Sequence, residues 1–243
     1  PKMSAYIVQI FAKRNLQKRS VTNTRNLSET YFAPLRGAAQ EANAIKTLFP
    51  DTRTLTGREA DETSVKELNA PRTLHLATHG FFLHNENSET GKQAKTKIEN
   101  PLLRSGLAFA GANRRGEGAN KDDGILTALE ASGLNLWGTK LVVLSACDTG
   151  LGEIRNGEGV YGLRRSFALA GAESLVMSMW PVSDYVTREL MANYYKNLKK
   201  GMGRGEALRQ VQLEMIKRPN RRHPFYWASF IQSGEWANLD GKR

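Results

Sequence analysis

Cysteine is almost absent from this sequence: Cys147 is the only one among 243 residues. A single thiol cannot form a disulfide within the chain, which excludes the small, disulfide-stapled folds of secreted proteins. Long apolar runs are also missing, since none approaches the roughly 18 residues of a membrane-spanning helix, and no charged-then-apolar leader opens the chain. We therefore expect a cytoplasmic protein that folds around its own hydrophobic core.

Signatures of nucleotide binding are weak. There is no Gly-x-x-x-x-Gly-Lys-Ser/Thr phosphate loop. The stretch 157–162 matches Gly-x-Gly-x-x-Gly, but a loop separates it from the preceding apolar run, whereas a dinucleotide-binding fold needs these glycines directly after its first strand. We interpret this stretch as a flexible loop that leads into a helix, and we expect no cofactor.

A metal site is equally poorly supported. His75 and His79 have the spacing of a His-x-x-x-His pair, which brings two rings to one ion only on a helix. The run around them is apolar and strand-like, it ends at Gly80, and no third group of ligands is evident. We therefore predict no bound metal, and we interpret His75 as a core histidine hydrogen-bonded to the backbone.

The charge balance is strongly positive, with 35 Lys and Arg against 24 Asp and Glu and a net charge of +11. The cations are scattered, and no basic stretch is interleaved with aromatic residues as in many nucleic-acid-binding surfaces. We interpret them as solvated loops and helix faces, with an acidic partner or a contact to a further domain as the alternative. Direct binding of nucleic acid by this domain is not expected.

Apolar, strand-like runs alternate with helical patterns, which predicts an α/β fold with a mostly parallel sheet covered on both faces. The predicted strands are 52–57, 73–77, 106–111, 140–145 and 173–179, and the predicted helices are 35–48, 63–68, 125–131, 160–170, 183–199 and 205–217. A small helix end and an edge strand close the chain at 227–232. We divide the chain into an N-terminal strand and linker segment (1–30) and one large domain (31–243). Because the chain opens on a proline, we expect it to be a piece of a longer protein.

Two reactive side chains each follow one of these strands. A strand through 73–79 has His75, Ala77 and His79 on one face and ends at a glycine. Cys147 comes directly after the clearest buried strand, beside the small residue Ala146. Open α/β sheets hold their sites at the carboxyl ends of such strands, and a thiol beside an imidazole is nucleophilic at neutral pH. The two residues together predict a cysteine nucleophile and its base.

The segments Leu74–Gly80 (LHLATHG) and Leu144–Gly150 (LSACDTG) resemble the CHAT domain, a caspase-like, separase-related cysteine protease family of clan CD. Further agreement comes from 123–128, 157–159, 180–184 and 224–230. The resemblance covers roughly Phe32 to the end, with the motifs in the family's order. It implies a caspase-like three-layer α/β/α sandwich and a bacterial-type peptidase domain. Many members of the family carry tetratricopeptide repeats before this domain.

The resemblance also implies the roles of individual residues. It assigns the catalytic dyad to His79 and Cys147 and the oxyanion hole to the backbone N–H groups of Gly80 and Cys147. Ser145 stands where caspases carry glutamine, so it becomes a candidate for the substrate pocket, and the caspase preference for aspartate is not expected.

Trp180 and Asp184 are further candidates for the substrate pocket. The stretch 180–184 resembles the Trp-Asp-Val-Thr-Asp segment of separases, which prefer a basic residue before the cut, but Pro181 replaces the first aspartate here. If Asp184 lines the pocket, a basic residue would be favoured. If Asp184 only caps its helix, an apolar residue would fit against Trp180.

The function predicted from these features is that of a cysteine endopeptidase, which cleaves a specific protein substrate and is regulated by an N-terminal region or an activating partner. The alternative is a catalytically silent caspase-like module for signalling or scaffolding. Two long polar stretches, 85–99 and 113–122, are predicted to be loops.

Overall fold

The structure is a computed structural model that describes residues 5–9, 27, 30–83, 100–114, 122–146, 158–180 and 184–242. Its strands are β1 (Ala5–Gln9), β2 (Arg53–Thr56), β3 (Thr73–Ala77), β4 (His79–Phe82), β5 (Ser105–Ala108), β6 (Ile125–Thr127), β7 (Leu141–Leu144), β8 (Ser174–Ser178) and β9 (Phe230–Gly234). Its helices are α1 (Arg36–Leu48), α2 (Glu62–Lys66), α3 (Ala128–Ala131), α4 (Glu158–Leu169), α5 (Asp184–Lys199), α6 (Arg204–Ile216) and α7 (Pro224–Trp227). The predicted loop 85–99 lies outside the described residues, as does most of the predicted loop 113–122.

A six-stranded sheet in the order β2-β1-β3-β7-β8-β9 forms the centre of the fold. All neighbouring pairs are parallel except β8 and β9, which pair antiparallel at one edge. The strands β3, β7 and β8 are buried along their whole length, as expected for parallel strands covered on both faces. The predicted mostly parallel sheet and its closing edge strand are confirmed, and β1 lies inside the sheet between β2 and β3.

Helices cover both faces of this sheet. Along β7, Val142 and Leu144 belong to one apolar core, whereas Leu141 and Val143 belong to the other, because alternate residues of a strand point to opposite faces. The first core also contains residues of α3 and α4, and the second contains residues of α1, α5 and α6. Each fully buried leucine or valine contributes about 1.5–3 kcal/mol, so both layers stabilise the strands that lead to the candidate site.

A second sheet, three-stranded and antiparallel in the order β4-β5-β6, was not predicted. The strand predicted through 73–79 ends at Ala77, and after Thr78 the chain enters β4. His79 therefore lies in the second sheet, paired with Ala108, and not in the strand that holds His75. At the junction the Thr78 hydroxyl donates to the carbonyl of Ala108, which joins the end of one sheet to the other.

The helix predicted over 125–131 begins only at Ala128. Thr127 caps it, because its hydroxyl accepts from the N–H of Glu130 while the Glu130 carboxylate accepts from the N–H of Thr127. The three residues before the helix form β6 against β5 instead. The prediction failed there because pairing with a distant strand outweighed the local helical pattern.

The glycine-rich stretch has a packing role. Gly159 and Gly162 lie inside α4, which begins at Glu158, so the predicted loop does not extend over 158–162. A Cβ on Gly162 would collide with the hydroxyl of Ser105 in β5. Glycine at 162 therefore allows α4 to approach the second sheet closely, which accounts for this part of the pattern without a nucleotide.

Candidate active site

The candidate site lies at the carboxyl edge of the six-stranded sheet, where three neighbouring strands end. Thr78 and His79 follow β3, Ser145 and Ala146 follow β7, and Trp180 lies two residues beyond β8. Because parallel strands end at the same edge, the register brings these segments side by side, with Leu76 opposite Leu144 and Leu144 opposite Met177.

His79 is buried, with 3% of its surface exposed, and its ring is held by the backbone. Nε2 lies 2.5 Å from the carbonyl oxygen of Ala33, in the extended segment before α1. A carbonyl can only accept, so Nε2 carries the proton and Nδ1 is the basic nitrogen of the neutral ring. The ring of Phe32 lies beside the imidazole, with centroids 5.7 Å apart. No signal in the sequence pointed to Ala33 as the residue that orients His79.

Of the two residues predicted to supply backbone N–H groups to the oxyanion hole, the structure describes Gly80 and not Cys147. Gly80 is buried in β4, opposite Leu107 of β5. Cys147 lies outside the described residues, and the chain is described as far as Ala146, directly before it. The nucleophile and the oxyanion hole predicted at Cys147 therefore remain predictions.

Ser145 faces the protein interior. The residue is 7% exposed, and its hydroxyl donates to Oε2 of Glu41 in α1 over 3.0 Å. Its N–H donates to the carbonyl of Leu76 over 2.9 Å, which extends the ladder between β3 and β7 by one residue. In this arrangement the Ser145 hydroxyl contacts a helix of the protein itself, while its role in a substrate pocket stays a prediction.

Of the other two pocket candidates, Trp180 has a described side chain, whereas only the backbone position of Asp184 is described. Trp180 is partly exposed, packs against the core that contains α5 and α6, and donates from Nε1 to the carbonyl of Phe225 over 3.1 Å. Asp184 is the first residue of α5, so it stands one position inside the helix. Its side chain lies outside the described part of the structure, and neither the pocket role nor the capping role is decided.

His75 lies in the core, as predicted, but its partners are side chains and not the backbone. Nδ1 lies 3.0 Å from the hydroxyl of Tyr195, and Nε2 lies 3.0 Å from Oε1 of Glu41. The second pair lacks the alignment of a hydrogen bond, so this contact is mainly electrostatic. Burial, with smaller contributions from Tyr194 and Glu41, raises the pKa of Tyr195 well above its ordinary value, so the phenol remains a donor. Sequence reasoning missed Glu41 and Tyr195, because both belong to helices distant in the chain.

Within the described residues, no group of three or more His, Cys, Asp or Glu side chains is placed to hold a metal ion. Among the described helices, none is both long and apolar enough to cross a membrane.

Two solved structures have a fold similar to that of this chain. The crystal structure of the Arg-specific cysteine proteinase gingipain R (RgpB) has a TM-score of 0.53 at 8% identity, covering 97% of this chain and 47% of that chain. The complex of the pro- and mature domains of RgpB from Porphyromonas gingivalis has a TM-score of 0.51 at 9% identity, covering 97% and 48%. Identity this low shows the fold alone, which is the caspase-like α/β/α sandwich of clan CD cysteine proteinases.

The sequence profile of the CHAT domain matches residues 8–235, so this chain belongs to the CHAT domain family. Tetratricopeptide repeat protein 28 of Homo sapiens is 29% identical over 220 residues, which are 86% of this chain and 9% of that protein. Tetratricopeptide repeat protein 28 of Mus musculus is 31% identical over 120 residues, 48% of this chain and 5% of that protein. The chain thus spans less than a tenth of the curated relatives it matches.

Proposed function

We propose that this domain is a cysteine endopeptidase in which Cys147 attacks a peptide carbonyl and His79 transfers the protons. The observation that carries the proposal is the fixed orientation of His79 at the carboxyl edge of the sheet. With Nε2 committed to Ala33, the basic nitrogen of the neutral ring is Nδ1. A general base whose tautomer is set by a second group is the arrangement that activated nucleophiles require.

The register of the sheet supports the pairing of the two residues. Leu76 of β3 lies opposite Leu144 of β7, and each reactive residue comes three positions later in its own chain segment. Neighbouring strands are about 4.8 Å apart, a distance from which an imidazole and a thiol on adjacent segments can reach one another. The hydrogen bond from the Ser145 N–H to the Leu76 carbonyl keeps this parallel course beyond the end of β7.

In the proposed reaction, His79 takes the proton of the Cys147 thiol and the thiolate adds to the scissile carbonyl. The carbonyl oxygen becomes an oxyanion that accepts hydrogen bonds from the N–H groups of Gly80 and Cys147. The imidazolium then gives its proton to the leaving amine, and water hydrolyses the thioester with His79 as base. Each oxyanion donor in such a site contributes about 2.7–4 kcal/mol to lowering the barrier.

The substrate preference is proposed to come from Trp180 and Asp184, with Ser145 beside them. If the Asp184 carboxylate faces the pocket, a charge-assisted hydrogen bond of about 1.5–3 kcal/mol favours Arg or Lys before the cut by roughly tenfold or more. The test is cleavage of matched peptides that differ only in Arg, Lys, Leu or Met at that position, by the wild type and by Asp184→Asn. A basic preference that disappears in Asp184→Asn supports the pocket role. A preference unchanged by the substitution assigns the aspartate to the helix start.

A regulatory role for a repeat region is proposed on the names of the relatives. The matched curated proteins are called tetratricopeptide repeat proteins, and this chain matches only a small part of each. Repeat arrays present extended binding surfaces, which suits the recruitment of a protein substrate or an activator. The same observation favours the second candidate function, a catalytically silent scaffold module attached to such an array.

A peptide library that carries a thiol-reactive warhead separates these two functions. The endopeptidase is expected to label selectively at Cys147, with labelling lost in Cys147→Ala and reduced in His79→Ala. Mass spectrometry of the labelled peptide identifies the modified residue, and far-ultraviolet circular dichroism confirms that each variant is folded. Labelling of the folded wild type no faster than of the same chain unfolded in urea would identify the scaffold.

A further inference from the structure

A chain of four buried polar side chains crosses the fold behind the candidate site. It runs from Tyr195 in α5 through His75 in β3 and Glu41 in α1 to Ser145 at the end of β7. Each step is 3.0 Å, and the four residues are between 0% and 7% exposed. The chain therefore joins two helices of one layer, α1 and α5, to two central strands of the sheet.

The carboxylate of Glu41 lies between His75 and Ser145 in this chain. Burial keeps the Tyr195 hydroxyl protonated by raising its pKa, and this hydroxyl shares a hydrogen bond of 3.0 Å with Nδ1 of His75. Nε2 of His75 faces Oε1 of Glu41 over 3.0 Å, in a contact that is mainly electrostatic. On the other side, the Ser145 hydroxyl donates to Oε2 of the same carboxylate. Glu41 thus contacts the His75 imidazole through Oε1 and accepts from Ser145 through Oε2, which is directed at the strand end.

Stability alone is a weak reason to keep such a chain. Burying a carboxylate and an imidazole costs desolvation free energy, and replacing a buried ionic group with well-packed apolar residues is often neutral or stabilising. The best-attested use of a buried polar pair is to fix one arrangement of the chain among several. The arrangement fixed here is that of the residues just beyond β7.

Three elements hold those residues where the regular ladder ends. The N–H of Ser145 donates to the Leu76 carbonyl at 2.9 Å, and its hydroxyl donates to Glu41 at 3.0 Å. The next carbonyl, that of Ala146, accepts from the hydroxyl of Ser178 at 2.5 Å. β3, α1 and β8 therefore each fix one polar group of the dipeptide that immediately precedes Cys147.

We propose that Glu41 and Ser145 are positioning residues that hold the backbone before Cys147 in the course that brings its thiol to His79. His75 and Tyr195 complete the device by fixing the orientation of the Glu41 carboxylate. This inference rests on the proposed function, since it concerns the reactivity of the same thiol.

The test uses iodoacetamide, whose reaction with Cys147 needs no substrate and is followed by mass spectrometry across the neutral pH range. Ser145→Ala is expected to lower the alkylation rate of the folded protein roughly tenfold, the effect of one lost hydrogen bond on a barrier. Its pH profile moves toward that of the chain unfolded in urea. Glu41→Gln is expected to retain most of the rate, because the amide oxygen still accepts from Ser145 and the amide N–H can face a His75 tautomer with a free lone pair.

Ser174→Ala is the matched control. Ser174 is also a buried serine, but its hydroxyl donates to the carbonyl of Lys140 over 2.7 Å, at the opposite end of β7. This variant is expected to lose comparable stability and to alkylate like the wild type. Steady-state kinetics of Ser145→Ala on a peptide identified by the warhead library give a second readout. A positioning defect lowers kcat, whereas the loss of a pocket contact raises KM.

The outcomes separate the two proposals. A reactive wild-type thiol with an equally reactive Ser145→Ala overturns the positioning role and leaves the dyad intact. Equal slowing in Ser145→Ala and Ser174→Ala also overturns it, because the loss then follows stability. A wild-type thiol that reacts no faster in the folded chain than in the unfolded one overturns the dyad, and the positioning role with it.

Discussion

His75 and His79 are separated by three residues, yet their surroundings differ in kind. His75 lies in the six-stranded sheet, and its ring nitrogens contact two side chains from helices of one layer. His79 lies in the second sheet, and one ring nitrogen is bonded to a backbone carbonyl from the segment before α1. The first environment is typical of a core network, and the second is typical of a base held for chemistry.

Thr78 is the single residue between β3 and β4, and the two histidines lie in different sheets on either side of it. β3 ends at Ala77 and β4 begins at His79, so at Thr78 the chain leaves the six-stranded sheet and enters the second sheet. Had the strand continued, both imidazoles would lie on the same face of one sheet. We propose that this separation gives His75 a role in the core network and His79 a role in reactivity, and each of the following predictions tests one side of that proposal.

The largest expected effect is on folding. His75→Ala leaves the Glu41 carboxylate buried without its imidazole, and breaking such a pair costs about 3–5 kcal/mol. Chemical denaturation of the variant and the wild type measures this difference. The double variant His75→Ala/Glu41→Ala is expected to lose less than the sum of the two single variants, since the unpaired charge is then gone. Additive losses would show that the two side chains are not coupled.

The next effect is on rate. His79→Ala is expected to lower kcat/KM by roughly two or more orders of magnitude, the usual contribution of a general base. Its free energy of unfolding is expected to change less than that of His75→Ala, because the ring contacts described for His79 are to the Ala33 carbonyl and the Phe32 ring and not to a buried carboxylate. Steady-state cleavage and urea denaturation of both variants measure the two quantities. A loss of rate in stably folded His75→Ala as large as that in His79→Ala, and not the smaller loss expected from a less well oriented Glu41, would show that the roles of the two histidines are interchanged.

The smallest effect concerns alkaline pH. Burial raises the pKa of Tyr194 and of Tyr195, so above the ordinary tyrosine pKa of about 10 the unfolded chain loses protons that the folded chain keeps. Stability is therefore complete below that pH and falls as the pH rises, by about 1.4 kcal/mol per pH unit for each such group. Tyr195→Phe is expected to make this slope shallower by one group's share, whereas an exposed control, Tyr185→Phe, leaves it unchanged. An unaltered slope in Tyr195→Phe would contradict the buried environment of the network.

Some elements of the fold could be predicted from the sequence because local residue patterns determine them. The runs at 73–77 and 140–145 are continuously apolar, so they predict buried parallel strands, and the structure has β3 and β7 there. Asp61 stands two positions before the predicted helix 63–68, and its carboxylate accepts from the N–H of Ser64 at the start of α2. The antiparallel second sheet was inaccessible, since its short strands owe their conformation to partners remote in the sequence.

What the sequence by itself determined is the order of the strands' apolar runs, the position of one thiol and one imidazole just past two of them, and the family to which those motifs belong. These features depend on residue type and spacing, which the chain carries at every point. Only the tertiary structure decided that Ala33 orients His79 and that Glu41 joins His75 to Ser145. Those contacts join residues far apart in the chain, and a hydrogen bond between remote groups exists only after packing has brought them together.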